Sequence, residues 1–191
     1  MFKKNLLVLT SLATLGLASP AAATVINFDS YADDTILAVG TFDSIGVRFN
    51  ETLQVNNGDI GDLPLSPPNT AVNFDSFGGN ITGFFLGPVT SVDFISVFAG
   101  DVGDDTDTVT LNGFDSFNNL IDSDTFTDIA AQTLSISGAG IVRFEILQTG
   151  LIAIDDFTFN PNSVPEPASL ALLGLGLAGL SLSRRRTQKS S

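Results

Sequence analysis

Acidic side chains are the only groups in this sequence whose number and spacing suggest chemistry. One glycine-containing stretch holds four of them close together, at Asp101, Asp104, Asp105 and Asp107. Carboxylate oxygens are the hard ligands that Ca²⁺ prefers in proteins. The spacing matches neither an EF-hand loop nor the glycine-rich calcium-binding repeat. The pattern therefore predicts either a calcium-binding loop or a solvated acidic turn.

Other catalytic groups are scarce. The chain has no histidine and no cysteine, and residues 24–163 contain no lysine. The usual general bases and thiol nucleophiles are therefore missing. Two carboxylates can hydrolyse glycosides, but among 20 acidic residues in this stretch a suitable pair arises by chance. We predict a protein that is not an enzyme and keep a carboxylate-based hydrolase only as an alternative.

The charge is distributed unevenly along the chain. Residues 24–163 contain 20 acidic side chains and only two cations, Arg48 and Arg143, so this body has a net charge of −18 within a chain of net charge −13. Such a surface repels phosphate backbones, which excludes nucleic acid as a partner, and it attracts cations. The absence of cysteine excludes disulfides and thiolate metal sites.

The first 23 residues have the features of a secretory signal peptide. Lys3 and Lys4 precede an apolar run at residues 6–17, and small residues follow at 21–23. Small side chains at Ala21 and Ala23 suit the cleavage pocket of signal peptidase. We therefore predict an exported protein that signal peptidase cleaves after Ala23.

The other end of the chain contains three consecutive segments. A proline-rich linker at 161–167 is followed by an uncharged apolar segment at 168–183 and a basic tail at 184–191. The apolar segment spans about 24 Å as a helix, close to the ~30 Å of a membrane's hydrocarbon core. It therefore predicts a single transmembrane helix, with the basic tail in the cytoplasm. The flanking prolines keep Glu166 extended and accessible.

These three segments, in this order, resemble the PEP-CTERM sorting signal. The resemblance rests on the motif Val164, Pro165, Glu166 and Pro167, the apolar helix, and the cluster Arg184, Arg185 and Arg186. It implies recognition and cleavage near the prolines by exosortase, a membrane protease or transpeptidase. It also implies a transient precursor in the inner membrane of a Gram-negative bacterium, then a place in the envelope or at the extracellular surface, associated with exopolysaccharide and biofilm. A tail anchor that is never cut is the alternative.

Residues 24–160 show the patterning of strands. Val142, Phe144 and Ile146 alternate with polar neighbours, as do Val109 and Leu111. This period of two indicates half-buried strands, and glycine, asparagine, aspartate and proline mark the turns between them. About eight to ten short strands of this kind predict an all-β domain, an antiparallel β-sandwich or jelly roll.

The last strand changes its alternation partway along. Ile152 and Ile154 occupy positions of one parity, whereas Phe157 and Phe159 occupy the other. A β-bulge at the intervening aspartates would restore a single apolar face and re-aim a carboxylate. A strand buried on both faces explains the pattern equally well.

The outline of the body also resembles galactose-binding-like jelly rolls. The similar pieces are residues 26–29, 109–115 and 154–159. Several such jelly rolls hold a structural calcium with acids of the first and last strands, which implies three ligands here: Asp29, Asp155 and Asp156. The sequence thus leaves two functions open. One is a non-catalytic structural or adhesive surface protein, and the other is a calcium-dependent carbohydrate-binding module.

Overall fold

The computed structural model describes residues 22–57, 68–76, 79–101 and 106–161. They belong to one compact unit, Ala21–Asn162. Besides one turn of 3₁₀ helix at Asp43–Ile45, the elements of these residues are twelve strands. In chain order the strands are β1 (Thr24–Ile26), β2 (Ile36–Leu37), β3 (Val47–Phe49), β4 (Leu53–Asn56), β5 (Thr70–Asn73), β6 (Ile81–Phe85), β7 (Val92–Asp101), β8 (Asp107–Phe114), β9 (Leu120–Asp128), β10 (Gln132–Ile141), β11 (Arg143–Gln148) and β12 (Ile152–Pro161).

Both targeting segments fall largely outside this description. The predicted transmembrane helix at 168–183 and the signal peptide up to residue 21 are not among the described residues. Within the described ranges, no helix has the length and apolar composition that crossing a membrane requires. The division of the chain into these segments stays a prediction.

The strands form two antiparallel sheets. The seven-stranded sheet has the order β10-β7-β12-β5-β4-β2, and β1 also pairs with β12. The five-stranded sheet has the order β3-β6-β11-β8-β9. One core cluster contains buried residues from both sheets. The predicted all-β antiparallel sandwich is confirmed.

A cluster of phenylalanine rings joins the two sheets. The ring of Phe144 on β11 lies 5.6 Å from Phe49, 5.9 Å from Phe85 and 4.8 Å from Phe157 of β12, between ring centroids. Such pairs add roughly 0.5–1.5 kcal/mol beyond the burial of their surface. Gly83 makes room for this cluster, because a Cβ added there would collide with the ring of Phe144.

Strand β12 contains a β-bulge. Between the pairs Asp155–Phe98 and Thr158–Ser96, β12 has two residues where β7 has one. Asp156, inside the bulge, has a left-handed φ of 46°. The extra residue shifts the alternation, so the apolar side chains on both sides of the bulge enter the same core: Ile152, Ile154, Phe157 and Phe159.

The two alternatives for β12 are therefore both partly right. The bulge is present. Ala153 and Asp155 are buried as well, so the part of β12 before the bulge is covered on both faces. This burial is what places a carboxylate inside the protein.

Carboxylates also protect the edge where the two sheets meet. Strand β10 is an edge strand, and its backbone N–H groups at Ser135 and Ser137 donate to the side chains of Asp124 and Asp122 of β9, each over 2.8 Å. Unpaired edge groups are templates for association with other strands. The two aspartates thus occupy two donors of β10 that a neighbouring chain would otherwise bind.

Candidate functional site

The bulge and the strand pairing bring together three acids from opposite ends of the body. Strand β1 pairs with β12 through Ile26 and Phe157, so the turn after β1 lies beside the bulge. The charges of Asp29, in that turn, and of Asp156 are close enough to Asp155 to raise its pKa. The three acids therefore lie near one another, and their role as calcium ligands stays a prediction.

Asp155 is the buried member of this group, with 0% of its surface exposed. Its Oδ1 atom accepts a hydrogen bond of 2.7 Å from the backbone N–H of Asp156. Its Oδ2 atom is buried and receives no hydrogen bond of normal geometry within the described structure, although the backbone N–H of Phe28 is close enough to the carboxyl to lower its pKa. A buried carboxylate oxygen without a partner is costly.

The environment of Asp155 disfavours its charge. Burial is the main reason that the pKa of this carboxyl rises from 3.8 to about 7, and the negative charges of Asp156 and Asp29 add to the rise. The backbone N–H groups of Asp156 and Phe28 act in the opposite direction. The described side chains thus supply negative charge but no cation to balance Asp155.

The turn that carries Asp29 is held by a buried asparagine from another part of the chain. The N–H of Tyr31 donates to the carbonyl oxygen of Phe28 over 3.1 Å, which closes the turn. Asn69 donates its side-chain amide to the carbonyl oxygen of Tyr31 over 2.8 Å and its N–H to Oδ1 of Asp29 over 3.3 Å. Asn69 is 6% exposed, so buried hydrogen bonds restrain the turn.

The chemistry of these residues fits calcium only in part. Their donor atoms are hard oxygens, and the unpartnered Oδ2 of Asp155 is an atom that a cation would satisfy. Among the described residues, however, no three acidic side chains converge into a ready-made metal site. Backbone carbonyls and water would have to complete the coordination. The residues therefore fit calcium as a partial site, and binding stays a prediction.

The second predicted group lies at the junction of β7 and β8. The structure does not describe two of its four residues, Asp104 and Asp105. Asp101 ends β7 opposite Ile152 of β12, and Asp107 begins β8. Asp107 is 4% exposed and accepts a hydrogen bond of 3.3 Å from the hydroxyl of Thr149. Its role as a calcium ligand stays a prediction.

A surface pocket, which the sequence analysis missed, opens beside the Asp29 turn. It has a volume of about 290 Å³ and lies between β1, the turn after it and the short 3₁₀ helix. Its polar lining includes Asn27, Ser30, Tyr31 and Ser44. The sequence contains no pattern that points to this pocket, although Tyr31 is the single tyrosine of a chain without tryptophan.

Comparison with known families identifies the C-terminal tail. Residues 163–186 match the PEP-CTERM protein-sorting motif. The match includes Glu166 between its prolines and the arginines at 184–186, so it confirms the resemblance on which the sequence analysis rested. A motif of this kind implies export and processing by exosortase. No curated protein sequence matches the chain at a significant level.

Several solved structures share a broadly similar arrangement. A DUF4465 family protein from Bacteroides caccae is 10% identical with a TM-score of 0.45, covering 80% of this chain and 97% of that one. A family 6 carbohydrate-binding module is 11% identical with a TM-score of 0.37, covering 73% and 94%. The enzymatically active domain of bacteriophage CBA120 tailspike protein 4 is 16% identical with a TM-score of 0.34 over 76% of this chain, which spans 20% of that domain. TM-scores this low carry no inference about ligand or activity.

Proposed function

We propose that this chain is an exported surface protein, sorted and cut by exosortase, whose β-sandwich has a structural or adhesive and non-catalytic role. The observation that carries the proposal is the sorting motif at residues 163–186. In this proposal, the precursor is held in the inner membrane by residues 168–183. After processing, the sandwich reaches the envelope or extracellular surface of a Gram-negative bacterium and associates there with exopolysaccharide in a biofilm.

Each part of the tail has a physical task in this proposal. The prolines around Glu166 prevent helix formation and present an extended segment to a protease cleft. The apolar segment enters the bilayer. The arginines at 184–186 stay on the cytoplasmic side and fix the orientation. The absence of histidine and cysteine from the chain supports a role without catalysis.

The test follows the mass and location of the chain in a host that contains exosortase. Glu166→Ala should leave a precursor of uncut mass in the inner membrane, because the cleavage segment loses its recognition element. Neutralising Arg184, Arg185 and Arg186 to glutamine should impair retention or processing. Lys189→Gln is the matched control, since it removes a neighbouring charge outside the motif, and it should behave as wild type. Wild-type mass and location for all variants would contradict the proposal.

A second function is supported by the acids at the bulge and the adjacent pocket. In this alternative, the sandwich is a calcium-dependent carbohydrate-binding module. The supporting observation is that one turn carries both Asp29 of the acidic group and Tyr31 of the pocket. A cation bound by the acids would restrain the turn and so the wall of the pocket.

Calcium-dependent melting tests the metal part of this alternative. A ligand that binds only the folded state stabilises it by about 2.7 kcal/mol at a hundredfold excess over its dissociation constant. Melting of the purified chain should therefore shift upward by several degrees in calcium relative to chelator. An equal melting temperature in both conditions would remove calcium from the function.

A further inference from the structure

The pocket beside the Asp29 turn is uncharged although the body around it is strongly acidic. None of the described residues that line it is an acid or a base, whereas residues 24–163 have a net charge of −18. An uncharged ligand avoids the desolvation cost that a charged one would meet in such a site. The pocket is therefore suited to a neutral molecule.

The polar lining consists of groups that both donate and accept hydrogen bonds. The side chains of Asn27, Ser30 and Ser44 and the hydroxyl of Tyr31 make no hydrogen bond within the described structure. A hydroxyl donates one hydrogen bond and accepts up to two, and an amide offers both kinds of group. This set matches a ligand that is itself rich in hydroxyl groups.

The pocket also has an apolar wall. Val25 is 54% exposed and Ile45 39% exposed, and Phe42 packs edge-to-face on Tyr31 with 6.3 Å between ring centroids. A sugar ring presents C–H groups on its faces and hydroxyls around its rim, so it can contact both parts of such a lining. A volume of about 290 Å³ lies near the low end of the ~300–1,000 Å³ typical of small-molecule sites.

We propose that this pocket binds one or two units of an uncharged saccharide. The hydroxyl and amide groups of the lining would bind the sugar hydroxyls, and Val25 and Ile45 would contact the C–H face of the ring. The proposal deepens the carbohydrate-binding function above and rests on it. Its test is separate from that of the sorting motif at 163–186, because the described lining of the pocket lies between Val25 and Ile45.

Tyr31 supplies a direct readout of binding. It is the single tyrosine of a chain without tryptophan, so tyrosine fluorescence reports on the pocket alone. The full chain, in a detergent without a sugar headgroup, is titrated with methyl β-D-galactoside, methyl β-D-glucoside and N-acetylglucosamine. At least one of these should change the fluorescence in a saturable way, and glucuronate should bind at least about tenfold more weakly because of the acidic body.

Two substitutions localise the site. Ser44→Leu removes a hydroxyl and fills space in the pocket, so it should weaken binding at least about tenfold. Ser116→Leu makes the same change at an exposed position in the turn between β8 and β9, and it should bind as wild type. Circular dichroism and melting confirm that both variants are folded. Because Tyr31→Phe removes the fluorescent reporter, saturation-transfer NMR measures sugar binding to that variant.

Each outcome has a distinct meaning. Saccharide binding that Ser44→Leu leaves intact would overturn the pocket while sparing the carbohydrate-binding function. Glucuronate binding as tightly as the neutral sugars would overturn the preference for an uncharged ligand. The absence of a saturable tyrosine signal at about 10 mM sugar, well above a millimolar dissociation constant, would overturn the pocket. The absence of a saturation-transfer NMR signal as well would also overturn the carbohydrate-binding function.

Discussion

Replacing Asp155 by asparagine should stabilise the metal-free protein at neutral and alkaline pH. The substitution keeps the shape of the side chain and the Oδ1 acceptor for the N–H of Asp156. It replaces the unpartnered Oδ2 with an amide that can donate toward the neighbouring carboxylates. It also removes a charge that burial and the acids Asp29 and Asp156 disfavour.

The size and direction of the effect follow from the pKa of Asp155. The pKa of this carboxyl is 3.8 in the unfolded chain and about 7 in the folded protein. Between these pH values the folded state therefore binds more protons than the unfolded state. The contribution of Asp155 to stability therefore falls as pH rises from about 4 to 7 and is flat above. Since each pH unit corresponds to roughly 1.4 kcal/mol, the ionised carboxylate costs about 4 kcal/mol above pH 7.

Thermal melting of metal-free wild type and Asp155→Asn at several pH values measures the cost of the ionised Asp155 carboxylate. The variant should lose the decline between pH 4 and 7 and should melt on the order of 10 °C higher at pH 8. Asp93→Asn, at an exposed position of β7, is the control and should keep the wild-type profile. Calcium should stabilise wild type at pH 8 but stabilise Asp155→Asn much less. A variant that melts lower than wild type in chelator and keeps its pH slope would refute this account of Asp155.

Three further changes probe the sandwich itself. Gly83→Val should destabilise the domain by roughly 1–3 kcal/mol, because the new side chain collides with Phe144. Urea unfolding measures this loss of stability, and a valine substituted at an exposed position is the control. Phe157→Ala should cost about 3–5 kcal/mol, since the ring is fully buried between the sheets, and a midpoint unchanged in urea would contradict its place in the core. Replacing Asp122 and Asp124 together by alanine should uncover the edge of β10 and produce concentration-dependent association in light scattering; a monomer at all concentrations would show that this edge needs no protection.

The alternation of apolar residues was sufficient to predict the sandwich but not all of its strands. The part of the chain that the structure describes has twelve strands rather than eight to ten. Strand β9 is an edge strand with no buried residue, so its sequence has no apolar period that would reveal it. The alternating residues Val142, Phe144 and Ile146 were expected to share one strand, but the chain leaves β10 at Ile141 and enters β11 of the other sheet only at Arg143.

The candidate sites, like the strands, could be predicted only where the signal is local in the sequence. The change of parity at the aspartates pointed to the bulge of β12, because parity is a local property of the chain. The burial of Asp155 and the pocket at Tyr31 could not be predicted from the residues, because both depend on β1 pairing with a strand at the far end of the body. Such long-range contacts leave no periodic signal in the sequence.

The position of β12 has a consequence for how the protein reaches its destination. This strand is the last of the body, yet it lies in the interior of the seven-stranded sheet, between β7 on one edge and both β5 and β1 on the other. A chain that crosses a membrane N-terminus first delivers β1 early, and Thr24 must wait for Phe159, its partner in the sheet. Contacts so distant in sequence form slowly. In the proposed export, β12 therefore joins the seven-stranded sheet only after nearly the whole body has been translocated, so this sheet cannot close while the chain is still crossing the membrane.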